Sequence, residues 1–521
     1  MFSARSILLI LSLAFVPWFG ATVQAAAAFN LEQVVTKARE LAQRPYTRPP
    51  QVPEFMRTLS YDEFRSIRFD PQRSLWQGTG SRFEVMLMAP GLFFTHQVKI
   101  NVIDSSGVTP LAFNKEYFQS DNTELFKKLP ADLGYAGFKL TYPLNKPDVQ
   151  DQFLAFAGAS YFRATGKGDN FGLSARGAAL DTGLMSGEEF PDFIEYWLER
   201  PAAGAKTMKF YALLDSKRLT GAYKFTVQPG QPTQLDVEAV LFTRDRVELL
   251  GVAPLTSMFY YGENTARPRG QWRPEVHDSD GLLLHNGTGE WLWNPLMNPR
   301  ALHIQAFSVA DVKGFGLIQR DQRFAAYQDP EAAYDRRPSA WITPKGSWGP
   351  GRVMLVEIPT PDETNDNIVA FWSPPTAVEA GKELRFDYRI EFGDAQVTDA
   401  APEGGIGRAV DSFVGRGDVM GGGDAPGAYR IIVDFKGGEL DKLASGAPIG
   451  TDVTAQEGGK VLEHFLVYVE PSKVWRLSIL ARPAANKPLA VRARLKMDQE
   501  PLTETWTYTL PQDNDISGAQ K

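Results

Sequence analysis

Two acid-rich, aromatic-flanked segments hold the residues of this chain best suited to chemistry. The first runs Arg273-Pro274-Glu275-Val276-His277-Asp278-Ser279-Asp280-Gly281 and reaches Glu290-Trp291-Leu292-Trp293. The second is Pro359-Thr360-Pro361-Asp362-Glu363-Thr364-Asn365-Asp366-Asn367, closed by Phe371-Trp372. Carboxyl groups can protonate a glycosidic oxygen and activate a water. Amides hydrogen-bond hydroxyls, and flat aromatic faces cover the apolar faces of sugar rings. Together these types point to a carbohydrate site. Asp366 and Asp278 are 88 positions apart, so only the fold can join them. The acid of such a pair needs a pKa raised by burial or a like charge, while the base stays ionised. An inverting pair leaves about 6.5–9.5 Å for the attacking water. The alternative is that both aspartates are loop caps that accept backbone N–H groups.

The neighbours carry the same two readings. Glu363, Asp362 and Asp280 either shift the pair by like-charge repulsion or are solvated loop charges. Glu275 and Glu290 bind hydroxyls or form strand-end salt bridges. Trp272, Trp291, Trp293, Tyr260 and Tyr261 are sugar platforms or strand packing. If their run is a strand, Trp291 and Trp293 project to one side. Arg337 and Trp341, flanking Pro338, are assigned to the same cleft; Trp372 suits the core equally. His277 is expected to orient Asp278 or a sugar hydroxyl. Five histidines without an HExxH spacing give no zinc site, and the Gly-rich run has no strand–helix context for a nucleotide, so neither metal nor cofactor is expected. Ser174 and Ser257 lack a nucleophile elbow.

The elements that must position these groups are mostly strands. Phe83/Val85/Leu87, Val98/Ile100/Val102, Tyr223/Phe225/Val227 and Leu384/Phe386/Tyr388/Ile390/Phe392 alternate with period two, as antiparallel sheet does. The 46 glycines and 36 prolines punctuate them. Asn30 with Gln33 and Ser60 with Glu63 predict two capped helices. Pro191 and Pro201 predict a third over Phe190 to Leu198. The fold class is mainly β: a large antiparallel β-sandwich over 26–395, a linker over 396–407, and a smaller immunoglobulin-like sandwich over 408–515. Within the latter, Arg408 to Ala428 reads as a Gly-rich loop, either a lid over a polymer or an idle linker.

A net charge of −7 without a basic run excludes a phosphate-backbone reader. Arg5, the apolar run Ile7 to Phe15 and Val23-Gln24-Ala25 form a secretory leader over 1–25 without a twin-Arg pair. No later run is long enough to span a membrane. The absence of cysteine suits a bacterial periplasm.

Several words of this chain are similar to one family. They include Ser160-Tyr161-Phe162-Arg163-Ala164, Gly172 to Gly177, Gly187-Glu188-Glu189-Phe190-Pro191, Ala253 to Phe259, Arg273 to Gly281, Gly289-Glu290-Trp291, Arg337-Pro338-Ser339-Ala340-Trp341 and Asp362 to Asn367. They resemble the periplasmic glucan biosynthesis proteins G and D, which serve synthesis of osmoregulated periplasmic glucans in Gram-negative bacteria. The Sec-type leader resembles the G branch. The resemblance implies a carbohydrate-active sandwich, an immunoglobulin-like second domain and a ligand with a β-1,2-linked glucose backbone. Some members are regarded as inverting β-1,2-glucan hydrolases, and others have no clear activity. By resemblance Asp366 matches the general acid, Asp278 the base side, and Tyr334 a residue of substrate binding or proton relay. His277, Glu290, Trp291, Trp293, Arg337, Trp341 and Glu363 complete the expected glucan-binding set. The alternatives are a non-catalytic assembly factor that holds glucan for a membrane glucan synthase, and an envelope structural module.

Overall fold

The computed structural model of the chain describes residues 29–394, 405–417 and 425–512. The expected leader, most of the expected linker and the centre of the Gly-rich run lie outside the described residues. Both capping boxes form. Asn30 caps helix Leu31–Ala42 reciprocally with Gln33, and Ser60 caps Tyr61–Ser66 with Glu63. The first helix lays Val34, Val35 and Ala38 onto Trp197, Tyr211, Leu213 and Val240, on the outer face of a large sheet.

Two sheets, of ten and fifteen strands, build the body of the molecule. Their inner faces meet in an aromatic core. Phe156 of the ten-stranded sheet lies 5.1 Å from both Phe210 and Phe225 of the other, edge to face. A four-stranded sheet (Arg408–Arg416, Tyr429–Lys436, Val474–Arg482 and Lys460–Val469) packs over a second core with Leu489–Met497 and Thr505–Leu510.

The cores share a wall. Strands Gly281–Asn286, Trp291–Pro295, Val312–Ile318 and Ser339–Pro344 are neighbours in the fifteen-stranded sheet. Leu282, Leu284, Leu292, Phe315, Leu317, Ala340 and Ile342 face the first core. Leu283, Trp291, Trp293 and Trp341 face the second. The sheet continues into the C-terminal strands because Trp291–Pro295 pairs in parallel with Thr505–Leu510, Leu292 opposite Thr505 and Trp293 opposite Trp506. Arg320 seals the join. Its guanidinium makes two bonds to the Glu504 carboxylate at 2.6 and 2.8 Å and lies 3.5 Å over the Trp293 ring.

Two sequence readings are corrected. The expected helix over Phe190 to Leu198 is strand Asp192–Glu199. A register shift between Phe193 and Glu195 inserts one residue, so Phe193 and Tyr196 both face the core at a spacing of three, which mimics a helix. The start of the expected Gly-rich loop, Arg408–Arg416, is also a strand, disguised by polar residues and by a shift between Ala409 and Asp411.

Candidate functional site

The segment Ser257-Met258-Phe259 ties both acid-rich loops to one place. The Asp278 N–H donates to the Met258 carbonyl at 2.8 Å. Ser257 Oγ and Ser279 Oγ are hydrogen-bonded at 2.8 Å. The Phe259 N–H donates to Asn367 Oδ1 at 2.8 Å, while Asn367 Nδ2 donates to the Ile358 carbonyl at 3.0 Å. Asp278 and Asp366 therefore leave the same short segment from two directions. A two-stranded ladder, Phe259–Tyr261 with Val276–His277, sets the approach.

Around the aspartates stand two arginines. Arg163 Nη2 lies 3.2 Å from Asp366 Oδ2, and Arg163 Nε donates to Ser174 Oγ at 2.6 Å. Arg337 Nη1 lies 3.5 Å from Asp278 Oδ1, while its Nε and Nη2 donate to the Ala332 carbonyl at 3.1 and 2.9 Å. Asp278 is buried, and its Oδ1 accepts no hydrogen bond. Burial pushes the Asp278 pKa up and Asp366 adds to this, against the opposing charges of Arg337, Arg163 and His277. Asp366 sits at the rim, its side chain 29% exposed.

Tyr334 lies in a 3-10 turn entered through Ala333, whose φ of 46° is in the left-handed region. That turn costs about 1–3 kcal/mol of backbone strain. It is held by Asp329, whose Oδ1 accepts from the Glu331 and Ala332 N–H groups. Burial raises the Tyr334 pKa, with Glu363 and Asp278 adding, so its hydroxyl remains a donor at neutral pH. The Arg337 guanidinium lies 5.1 Å over its ring. Arg273 joins Glu363 at 2.6 Å to Asp329 at 3.2 Å. Beside it Trp272 is 62% exposed, an open indole face at the edge of the site.

Asp366, Asp278, Tyr334, Arg337 and Glu363 are thus brought together. The other expected binders are placed elsewhere. His277 is sealed from solvent, with Nδ1 on Gln319 Oε1 at 3.0 Å and Nε2 on Glu275 Oε2 at 2.9 Å. It touches neither the Asp278 carboxylate nor open space; it supports from beneath. Burial lowers its pKa, but Asp280, Glu275 and Glu263 outweigh this and raise it to about 9. Trp291, Trp293 and Trp341 are buried in the second core, Trp291 stacked between His285 and Trp341. They face the C-terminal strands rather than a cleft. Glu290 is taken by Arg492 at 2.6 Å and Thr505 at 2.7 Å, so it is the strand-end salt bridge of its two readings.

The fold also assembles a cluster the spacing did not reveal. Glu275, His277 and Asp280 bring their ligand atoms within 4.8 Å of one another. Burial and Glu275, against His277, raise Asp280 to about 6. The histidine proton is the cation of this cluster. Arg163 and Gln319 are the site residues that sequence reasoning missed. Arg163 had a signal, as a charged residue beside Tyr161 on the outward face of strand Tyr161–Ala164. Gln319 had none.

Comparison with known proteins agrees with this architecture. The pattern described as "Periplasmic glucan biosynthesis protein, MdoG" matches residues 29–510. A glucans biosynthesis protein G of Pseudomonas aeruginosa is 44% identical over 492 residues, covering 93% of each chain. One of Ralstonia nicotianae is 43% identical over 496 residues, covering 94% of this chain and 98% of its own. Both carry the G name, in keeping with the G-branch reading. Matched over nearly its whole described length, the chain belongs to the MdoG family of periplasmic glucan biosynthesis proteins.

Proposed function

We propose that this protein, exported to the periplasm through its Sec-type leader, binds the β-1,2-linked backbone of a periplasmic glucan and cleaves or remodels it with inversion. The observation that carries the reading is the shared anchoring of the Asp278 and Asp366 loops on Ser257–Phe259. Water attacks the anomeric carbon as one carboxylate takes its proton. The glycosidic oxygen leaves with a proton from the other carboxyl. Tyr334 relays or orders that water, Arg337 and Glu363 hold hydroxyls, and Trp272 stacks on a ring.

With Asp366 as acid, as in the hydrolytic members this chain resembles, bound glucan must take Arg163 from Asp366 and cover the carboxyl. One observation favours the exchanged roles. Asp278 is the buried carboxyl with an unbonded oxygen and a raised pKa, which suits the proton donor. An activated aryl leaving group separates the two, because it needs no acid. If Asp366 is the acid, D366N recovers activity on such a substrate and D278N does not; the exchanged roles give the opposite.

The first test is incubation with linear β-1,2-glucan, reading product sizes and the anomer released. Chains shortened with inversion support the proposal, and a first product of β configuration refutes inversion. Binding without turnover, weakened by W272A and untouched by D366N, would leave a protein that holds nascent glucan for a membrane synthase.

A further inference from the structure

Gln319 is buried without any solvent exposure at the end of strand Val312–Ile318. A buried primary amide costs several kcal/mol unless its donors and acceptor are used. Here they are used, and on one pair of targets. Nε2 donates to the main-chain carbonyl of His277 at 3.0 Å and to that of Tyr334 at 3.2 Å. Carbonyls only accept, so the amide orientation is fixed and Oε1 is the atom that meets His277 Nδ1 at 3.0 Å. That nitrogen therefore carries hydrogen. The Gln319 backbone is pinned in turn, its N–H donating to Ser339 Oγ at 3.0 Å.

The two carbonyls belong to the residue preceding Asp278 and to Tyr334 itself. These belong to different segments, which Arg273 also links farther out through Asp329 at 3.2 Å. We propose that Gln319 is the positioning residue that sets Asp278 and Tyr334 at their working separation, with His277 as the third point of the clamp. The inference rests on the reading that Asp278 and Tyr334 act on glucan. Displacing a reacting group by about 1 Å can cost on the order of 100-fold in rate. Removing the amide takes this donor from the buried His277 carbonyl and leaves the Tyr334 carbonyl with only the Arg337 N–H at 3.1 Å, which frees the two segments to move apart.

The test uses the full chain carrying Q319M, which keeps the length and removes the bonds, and Q319E, which keeps an acceptor oxygen. Three readouts are taken: kcat on linear β-1,2-glucan, glucan Kd, and the slowly exchanging downfield proton of His277 Nδ1 by NMR. The expected result is a kcat about 100-fold lower for Q319M. Kd stays within about twofold, since Glu363 and Trp272 are held on Arg273, away from Gln319. The Nδ1 proton signal is lost. Q319E, with at most one O–H for two carbonyls, falls between Q319M and wild type and stands in if Q319M fails to fold. A folded Q319M with wild-type kcat, or one altered only in Kd or melting temperature, overturns the proposal. If the wild-type protein neither binds nor cleaves glucan, the proposed function fails separately. The clamp is then judged on NMR alone: persistence of the Nδ1 signal in Q319M overturns it, and its loss, with shifts at Asp278 and Tyr334, supports it.

Discussion

Replacing Arg337 by Met should make the protein's stability depend on pH through Asp278. In the structure Arg337 Nη1 stands 3.5 Å from Asp278 Oδ1, on a carboxyl whose pKa burial has already raised. At an effective dielectric constant near 20, the bare attraction at that distance is about 5 kcal/mol. Arg163 and His277 also oppose the burial effect and remain in place. The net result is a further rise in the Asp278 pKa, and the charged carboxyl loses an interaction worth on the order of 2 kcal/mol. The sign follows from linkage. A carboxyl raised above its unfolded value favours the folded state in acid, and that advantage is lost as pH rises through the folded pKa. The R337M penalty should therefore be larger at pH 8 than at pH 4.5 by about that amount. The lost bonds to the Ala332 carbonyl and the contact with Tyr334 add a penalty that does not vary with pH. Urea unfolding of wild type, R337M, D278N and the double variant at both pH values separates the two. A penalty equal at both pH values, larger in acid, or still pH-dependent when Asp278 is Asn would refute the electrostatic assignment.

Three further outcomes follow from the placement of side chains. W291A should destabilise the fold by about 3–5 kcal/mol, since that indole fills the second core, whereas W272A should change stability by less than about 0.5 kcal/mol and weaken glucan binding; denaturation and binding isotherms of the two variants check this. E504Q should cost about 3–5 kcal/mol by leaving the Arg320 charge uncompensated in the join, measured by chemical denaturation. His277, raised to about 9, contributes stability that is whole below its unfolded value near 6.5 and lost as pH climbs through about 9. The stability gap between wild type and H277Q should narrow from pH 7 to pH 10.

Much of the fold was legible because its physics is local. Period-two runs such as Leu384 to Phe392 became strand Glu383–Gly393, and Asn30 and Ser60 started helices through bonds spanning three residues. The helix expected over Phe190 to Leu198 failed for an equally local reason, since a bulge and a change of period leave the same apolar spacing. The site was legible in part. Asp278, Asp366 and Tyr334 lie in polar words that suit a cleft, and they do converge. Trp291, Trp293 and Trp341 were misread because nothing within their own strands reveals that a second layer covers the reverse face. Gln319 was invisible for the converse reason: its role is to bond two distant carbonyls, and it follows an ordinary apolar run.

The parallel pairing of Leu292 and Trp293 with Thr505 and Trp506 has a practical outcome for anyone dissecting this protein. A fragment ending before Gly407 would expose an unsatisfied strand edge next to three bare indoles, the combination that favours aggregation. The reciprocal fragment would lack a wall of its own interior. Limited proteolysis between the halves should accordingly yield nicked molecules that stay associated until denatured.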